Sequence, residues 1–190
     1  MMRIYLIRHA AAFDRDRKRW PDDGQRPLTP EGIKKFRRAA AGLEHLVGEV
    51  DCMLTSPLVR ARETAKILET VAGWPHATEV PELAQGRTPE QALAAIGDRA
   101  AAHPKLERLA LVGHEPNLTE LLSVCVAGPR AQARGGYELK KGGAACLLFP
   151  AAALAGHARI ELAQAPSEPL SRAKLEWLIT PKALRALAGR

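Results

Sequence analysis

Two histidines and two arginines stand where apolar segments give way to polar ones. Ile4-Tyr5-Leu6-Ile7 runs into Arg8-His9, and Leu109-Ala110-Leu111-Val112-Gly113 runs into His114. Met53-Leu54-Thr55 runs into Ser56-Pro57, with Arg60 just beyond. If the three apolar segments are neighbouring strands, Arg8, His9, Arg60 and His114 meet at one edge. Paired imidazoles could suggest a metal, but two guanidiniums repel a cation, and no third carboxylate or thiolate ligand accompanies them. An oxyanion such as phosphate suits the group better, because arginine offers permanently charged, bidentate forks. A neutral imidazole among arginines is a nucleophile, since nearby positive charge disfavours its protonated form. The second imidazole can donate to the anion as charge builds on it. Taken singly, each histidine reads equally as a satisfied polar residue at a strand end. His45, His76, His103 and His157 lie in helix-end or loop contexts and read as surface residues.

The elements that must position these residues alternate between strand and helix. Strands are expected at Ile4–Arg8, Asp51–Thr55, Thr78–Val80, Arg108–Gly113, Ala144–Phe149 and Arg159–Ala163. Thr29-Pro30-Glu31 opens a helix to about Leu46: a Thr N-cap, proline in the first turn and a carboxylate at the positive dipole end. Ser56-Pro57 is expected to open a second helix, to about Ala72, in the same manner. Thr88-Pro89-Glu90 opens a third to about Ala102, a fourth runs from about Asn117 to Val126, and Thr180-Pro181 opens the last. The alternation predicts an α/β protein, a three-layer α/β/α sandwich with a mostly parallel central sheet. With no internal repeat and no linker, residues 1–190 read as a single domain.

Composition bounds the alternatives. The chain has 190 residues, 46% hydrophobic and 26% charged, which excludes disorder, collagen and coiled coil as whole-chain descriptions. Its net charge of +7 makes nucleic acid the first polyanion to test. The excess is concentrated early: residues 1–62 hold 13 Lys/Arg against 8 Asp/Glu. Lys34, Lys35, Arg37 and Arg38 lie in the first helix, whose apolar face is Ile33, Phe36, Ala40 and Leu43, and read as solvated surface. Arg15, Arg17, Lys18 and Arg19 read as a polar loop without aromatic interleaving. Aromatics total 4%, which argues against single-strand stacking platforms, and no zinc-finger or RNP pattern occurs. Cys52, Cys125 and Cys146 are odd in number and lack C-x-x-C spacing, as expected of buried thiols in a reducing cytosol. The first apolar stretch is too short for a signal-peptide core. The run Ala144–Ala155 falls well short of the ~20 residues a membrane span needs. A cytoplasmic protein, binding neither nucleic acid nor membrane, is expected.

Four ordered segments carry a family resemblance. They are Leu6-Ile7-Arg8-His9-Ala10; Arg26-Pro27-Leu28-Thr29-Pro30-Glu31-Gly32; Thr55 through Ala65; and Val112-Gly113-His114-Glu115-Pro116-Asn117. Together they resemble the histidine phosphatase, or phosphoglycerate mutase-like, superfamily. The small size and short insertions are similar to its SixA-type phosphohistidine phosphatases. The resemblance implies that His9 is the nucleophile and is phosphorylated on a ring nitrogen. It also implies that Arg8 and Arg60 hold the phosphoryl oxygens and that His114 donates to the transferring group. No cofactor or metal is implied. The implied substrate is a phosphorylated protein, such as a histidine phosphotransfer domain in signal transduction, or a small phosphorylated metabolite.

The sequence departs from the family in two places. Ala10 stands where Gly is common, which keeps a small residue. Gln85 stands where many members place their general acid, in Pro81-Glu82-Leu83-Ala84-Gln85-Gly86. Glu82 is the nearest carboxylate and the candidate acid; a surface or capping role reads as well for it. An alkoxide leaving group needs a proton in the transition state, whereas an imidazole can be protonated by solvent beforehand. A site without a strong acid therefore favours phosphoramidates over phosphomonoesters. Alternatives are a small-molecule phosphomonoesterase of the same superfamily, or a phosphate-binding regulatory module without turnover.

Overall fold

The computed structural model describes residues 1–128, 136–150 and 173–189. Six strands form one sheet: β1 (Met2–Arg8), β2 (Cys52–Thr55), β3 (Thr78–Glu79), β4 (Arg108–Gly113), β5 (Ala144–Phe149) and β6 (Lys174–Ile179). Their order is β3-β2-β4-β1-β5-β6. The four strands from β3 to β1 are parallel, and β5 and β6 are added antiparallel. The register sets Arg8 beside Gly113 and Thr55 beside Val112, so β1, β2 and β4 end together.

Side chains alternate across the pleat, as a sheet buried on both faces requires. Tyr5, Ile7, Met53, Ala110 and Val112 point to one layer, which holds Phe36, Leu43, Ala61, Leu68 and Leu184. Ile4, Leu6, Leu54, Leu109 and Leu111 point to the other, with Leu93, Ile96, Leu121 and Leu122. Helices α1 (Pro30–Val47), α2 (Val59–Ala72) and α5 (Pro181–Leu187) supply the first layer. Helices α3 (Pro89–Ala102) and α4 (Asn117–Ala127) supply the second. This is the expected three-layer α/β/α sandwich.

The caps explain most helix starts. The hydroxyls of Thr29, Thr88 and Thr180 each accept a backbone N–H of the first turn, and Thr88 completes a capping box with Gln91. Helix α2 differs from expectation. It begins at Val59 rather than at Ser56-Pro57, and Leu58 caps it without a side-chain hydrogen bond. A residue before proline is disfavoured in helical conformation, and the Ser56 hydroxyl is engaged elsewhere, as described below. Strand β6 is not among the expected strands. The strand expected at Arg159–Ala163 lies outside the described residues, as does His157.

Two glycines shape the assembly. A Cβ on Gly42 would stand 1.9 Å from the Leu184 carbonyl oxygen, so α1 and α5 approach backbone to backbone there. Gly142, at φ 76°, turns the chain into β5, and its N–H reaches the carbonyls of Arg8 and His9, each at 3.1 Å. Among the described residues no helix is long and apolar enough to cross a membrane.

Candidate active site

The common end of β1, β2 and β4 collects the residues singled out in the sequence. Backbone bonds continue the ladder one residue past each strand. The His9 N–H donates to Gly113 (3.0 Å) and the Ser56 N–H donates to Val112 (3.0 Å). Thr64 braces the junction with α2: its hydroxyl accepts the Ala10 N–H at 3.0 Å and donates to the Arg60 carbonyl at 2.6 Å. His9 and His114 thus face each other with ring centroids 5.0 Å apart and tilted by 54°. His9 is 6% exposed, while Arg60 and His114 are fully buried.

The tautomer of His9 follows from its partner. Nδ1 lies 2.7 Å from the Ala10 carbonyl oxygen, which can only accept. Nδ1 therefore carries the proton, and Nε2 keeps its lone pair. Burial, joined by the charges of Arg60, Arg8 and Lys141, outweighs the Ala10 hydrogen bond and pushes the imidazole down to about 3. His114 is pushed down to about 2, by burial first and then by His9, Arg60 and Arg26. Both rings are neutral at physiological pH.

The arginines are held from behind. Arg8 donates Nη1 to the Leu139 carbonyl at 2.7 Å. Arg60 donates Nη1 to the Asp23 carbonyl at 2.9 Å and Nη2 to Gln85 Oε1 at 2.9 Å, with the Asp23 carboxylate 3.3 Å from Nη2. Burial lowers Arg60 to about 10, which leaves it charged. Arg26 in turn grips Asp23 at 2.8 Å and the Phe13 carbonyl at 2.6 Å. The Arg26 hydrogen bond, aided by the charges of Arg26, Arg60 and Arg15, holds the Asp23 carboxyl below its usual range.

Three buried side-chain nitrogens have no partner among the described residues: Arg8 Nε, Arg60 Nε and His114 Nδ1. Buried polar groups are rarely left unpaired, and each exception calls for an explanation. Here all three belong to residues around His9. Two cationic N–H donors and an imidazole nitrogen suit the oxygens of a phosphoryl group. The same charges oppose a metal cation.

Arg8, His9, Arg60 and His114 are thus brought together as the sequence predicts. Glu82 is not brought in. It lines a surface cavity with Leu54, Val80, Asp98 and Arg99, apart from those four residues. Gln85, at the expected acid position, faces the site through Arg60. Arg62 is exposed and lies 3.5 Å from Glu79, as its spacing from Arg60 implies. His45, His76 and His103 are exposed. In the basic loop the Arg19 guanidinium lies over Phe13 (4.8 Å) and Trp20 (4.5 Å). The chain's own arginine occupies those rings, since the aromatics flank the basic run rather than interrupt it. Asp23, Arg26 and Ser56 escape the sequence reading. Ser56 follows β2 as His9 follows β1, so the strand-end rule could have found it. Asp23 had only its spacing to Arg26 as a signal.

Comparisons with known proteins agree with this geometry. The family described as "Histidine phosphatase superfamily (branch 1)" matches residues 4–86. An uncharacterized protein of Picosynechococcus sp. is 37% identical over 164 residues, covering 85% of this chain and 93% of that one. The protein histidine phosphatase SixA, solved with tungstate, superposes with a TM-score of 0.75 at 18% identity, covering 96% of this chain and 99% of its own. The alpha-ribazole phosphatase of Shigella flexneri gives 0.64 at 17% identity, with 95% and 97% covered. At such identities the two structures speak for the fold. With the family match reaching from β1 past α2, and the strand-end residues arranged as described, the chain belongs to the histidine phosphatase superfamily.

Proposed function

We propose that this protein is a metal-independent phosphatase that works through phosphohistidine on His9 and acts on protein phosphohistidine, such as that of a phosphotransfer domain. The observation that carries the reading is the set of three unpartnered nitrogens around a histidine whose Nε2 lone pair is free. Nε2 attacks phosphorus as the bond to the substrate's ring nitrogen breaks. That imidazole, protonated beforehand from solvent, leaves as a neutral ring. Water then breaks the new P–N bond and releases inorganic phosphate. Arg8 and Arg60 bear the charge on the equatorial oxygens throughout, which is most of what phosphoryl transfer demands.

Asp23, Gln85 and Glu82 support the substrate class. Asp23 is kept ionised by Arg26 and is a poor proton donor. Gln85 carries an amide where an acid is expected, and Glu82 lies elsewhere. A leaving group that needs no enzymic acid is therefore favoured. The decisive experiment compares a phosphohistidine protein with sugar and aryl phosphates, alongside rapid-quench labelling. An acid-labile, base-stable label, absent in His9→Ala, is expected, with phosphohistidine turned over fastest. Comparable rates on sugar phosphates would sink the substrate assignment, and loss of activity in EDTA the metal-free mechanism. Neither label nor turnover would leave a phosphate-binding module.

A further inference from the structure

We propose that Ser56 is a positioning residue that fixes His114 in the tautomer protonated on Nδ1, readying that ring to donate to the phosphoryl group. The inference deepens the phosphatase reading and rests on it for the role of His114.

The contact is Ser56 Oγ to His114 Nε2 at 2.8 Å, with both residues fully buried. A neutral imidazole bears one proton, so this contact decides which nitrogen has it. A serine hydroxyl has one proton and two lone pairs. One lone pair already accepts the Leu58 N–H at 3.3 Å. If Nε2–H also donated to Oγ, the serine proton would have no acceptor among the described residues, and Nδ1 would keep a bare lone pair. If Ser56 donates to Nε2, the hydroxyl is used both ways and the ring proton sits on Nδ1. A buried donor without an acceptor is costly, which selects the second arrangement.

The unpartnered Nδ1 then has a use. As N–H it joins Arg8 Nε and Arg60 Nε as a donor. As a bare lone pair it would repel phosphoryl oxygens. Burial keeps His114 from taking a second proton, so the hydroxyl of Ser56 controls what the pocket presents. The backbone cooperates: Pro57 keeps Ser56 out of helix, and α2 begins only at Val59, so the hydroxyl is not spent as a helix cap.

The test is nitrogen-15 NMR of histidine-labelled protein at neutral pH, with and without inorganic phosphate. The wild type should show His114 with a protonated Nδ1 and an unprotonated Nε2, and Nδ1 should shift when phosphate is added. Ser56→Ala, folded by circular dichroism, should lose that tautomer preference. Its kcat with phosphoramidate should fall by about a hundredfold, the low end of the range for a lost transition-state donor. Ser56→Thr, which retains the hydroxyl, should keep the tautomer. A wild-type proton on Nε2, or an Ala variant unchanged in tautomer and kcat, would overturn the proposal. The NMR arm needs no turnover. An inactive wild type with the expected tautomer would fell the phosphatase reading alone, and an active one with the opposite tautomer would fell the Ser56 assignment alone.

Discussion

His9 owes its nucleophilic form to one carbonyl and to burial. The Ala10 oxygen accepts the hydrogen bond of Nδ1–H, and desolvation with two neighbouring arginines keeps Nε2 unprotonated down to about pH 3. The acid limb of kcat/KM should therefore lie below pH 4, well under the ordinary histidine value of 6.5. A limb near 6.5 in the pH–rate profile would contradict this. The same burial acts on stability. Below pH 6.5 the unfolded chain binds protons that folded His9 and His114 refuse, so stability falls with pH until the folded values are reached. At pH 5 each ring should cost about 2 kcal/mol relative to pH 7. Urea midpoints at the two pH values would measure it, with His114→Gln showing the shallower decline. Arg60 offers a further test. Lysine keeps the charge but not the fork that holds Asp23 and Gln85 and, in the proposed reaction, the phosphoryl group, so Arg60→Lys should lower kcat by about 10²–10³-fold.

At the scale of elements, little tolerance remains where the backbones of two helices meet at a glycine. Gly42→Ala places a methyl on the Leu184 carbonyl and should destabilise by about 3 kcal/mol, with the loss in thermal midpoint rather than in kcat. No site residue lies on α5, so a large loss of kcat in still-folded protein would mean that α5 supports the site directly. The elements differ in how legible they are. Strands β1, β2 and β4 are continuous apolar runs ending in polar residues, and α1, α3 and α5 carry Thr-Pro caps, so local chemistry announces them. The start of α2 does not, because the Ser56 hydroxyl that looks like a cap is bound to His114 from another strand. Strand β6 is half-exposed and antiparallel at the sheet edge, and its apolar residues alternate within a short run. The site shows the same division. Arg8, His9, Arg60 and His114 are legible from the rule that ligands bind at strand ends. Asp23 is not, because a loop brings it to Arg60 across 37 positions of sequence.

Charge belongs to the whole molecule. The net +7 first suggested nucleic acid, but its placement divides into two functions. Arg8 and Arg60 are drawn into the pocket, where the proposed reaction has them meet one phosphoryl group. Lys34, Lys35, Arg37 and Arg38 stay on the exposed face of α1, and Lys140 and Lys141 are exposed on the approach to β5, with Lys141 close enough to act on His9. Surface charges of one sign raise the encounter rate with an oppositely charged macromolecule and do little for a small substrate already within the pocket's own field. At 0.15 M salt such fields reach only about 8 Å, so the effect should be screened away as salt rises. For an acidic phosphorylated protein domain, kcat/KM should therefore fall on the order of tenfold between low and high salt. For an aryl phosphate it should change much less. Replacing Lys34 and Arg38 by Gln, both exposed on α1, should flatten the first slope and leave the second unchanged. Equal slopes for the two substrates would confine the positive charge to the pocket and remove the surface from any part in choosing the partner.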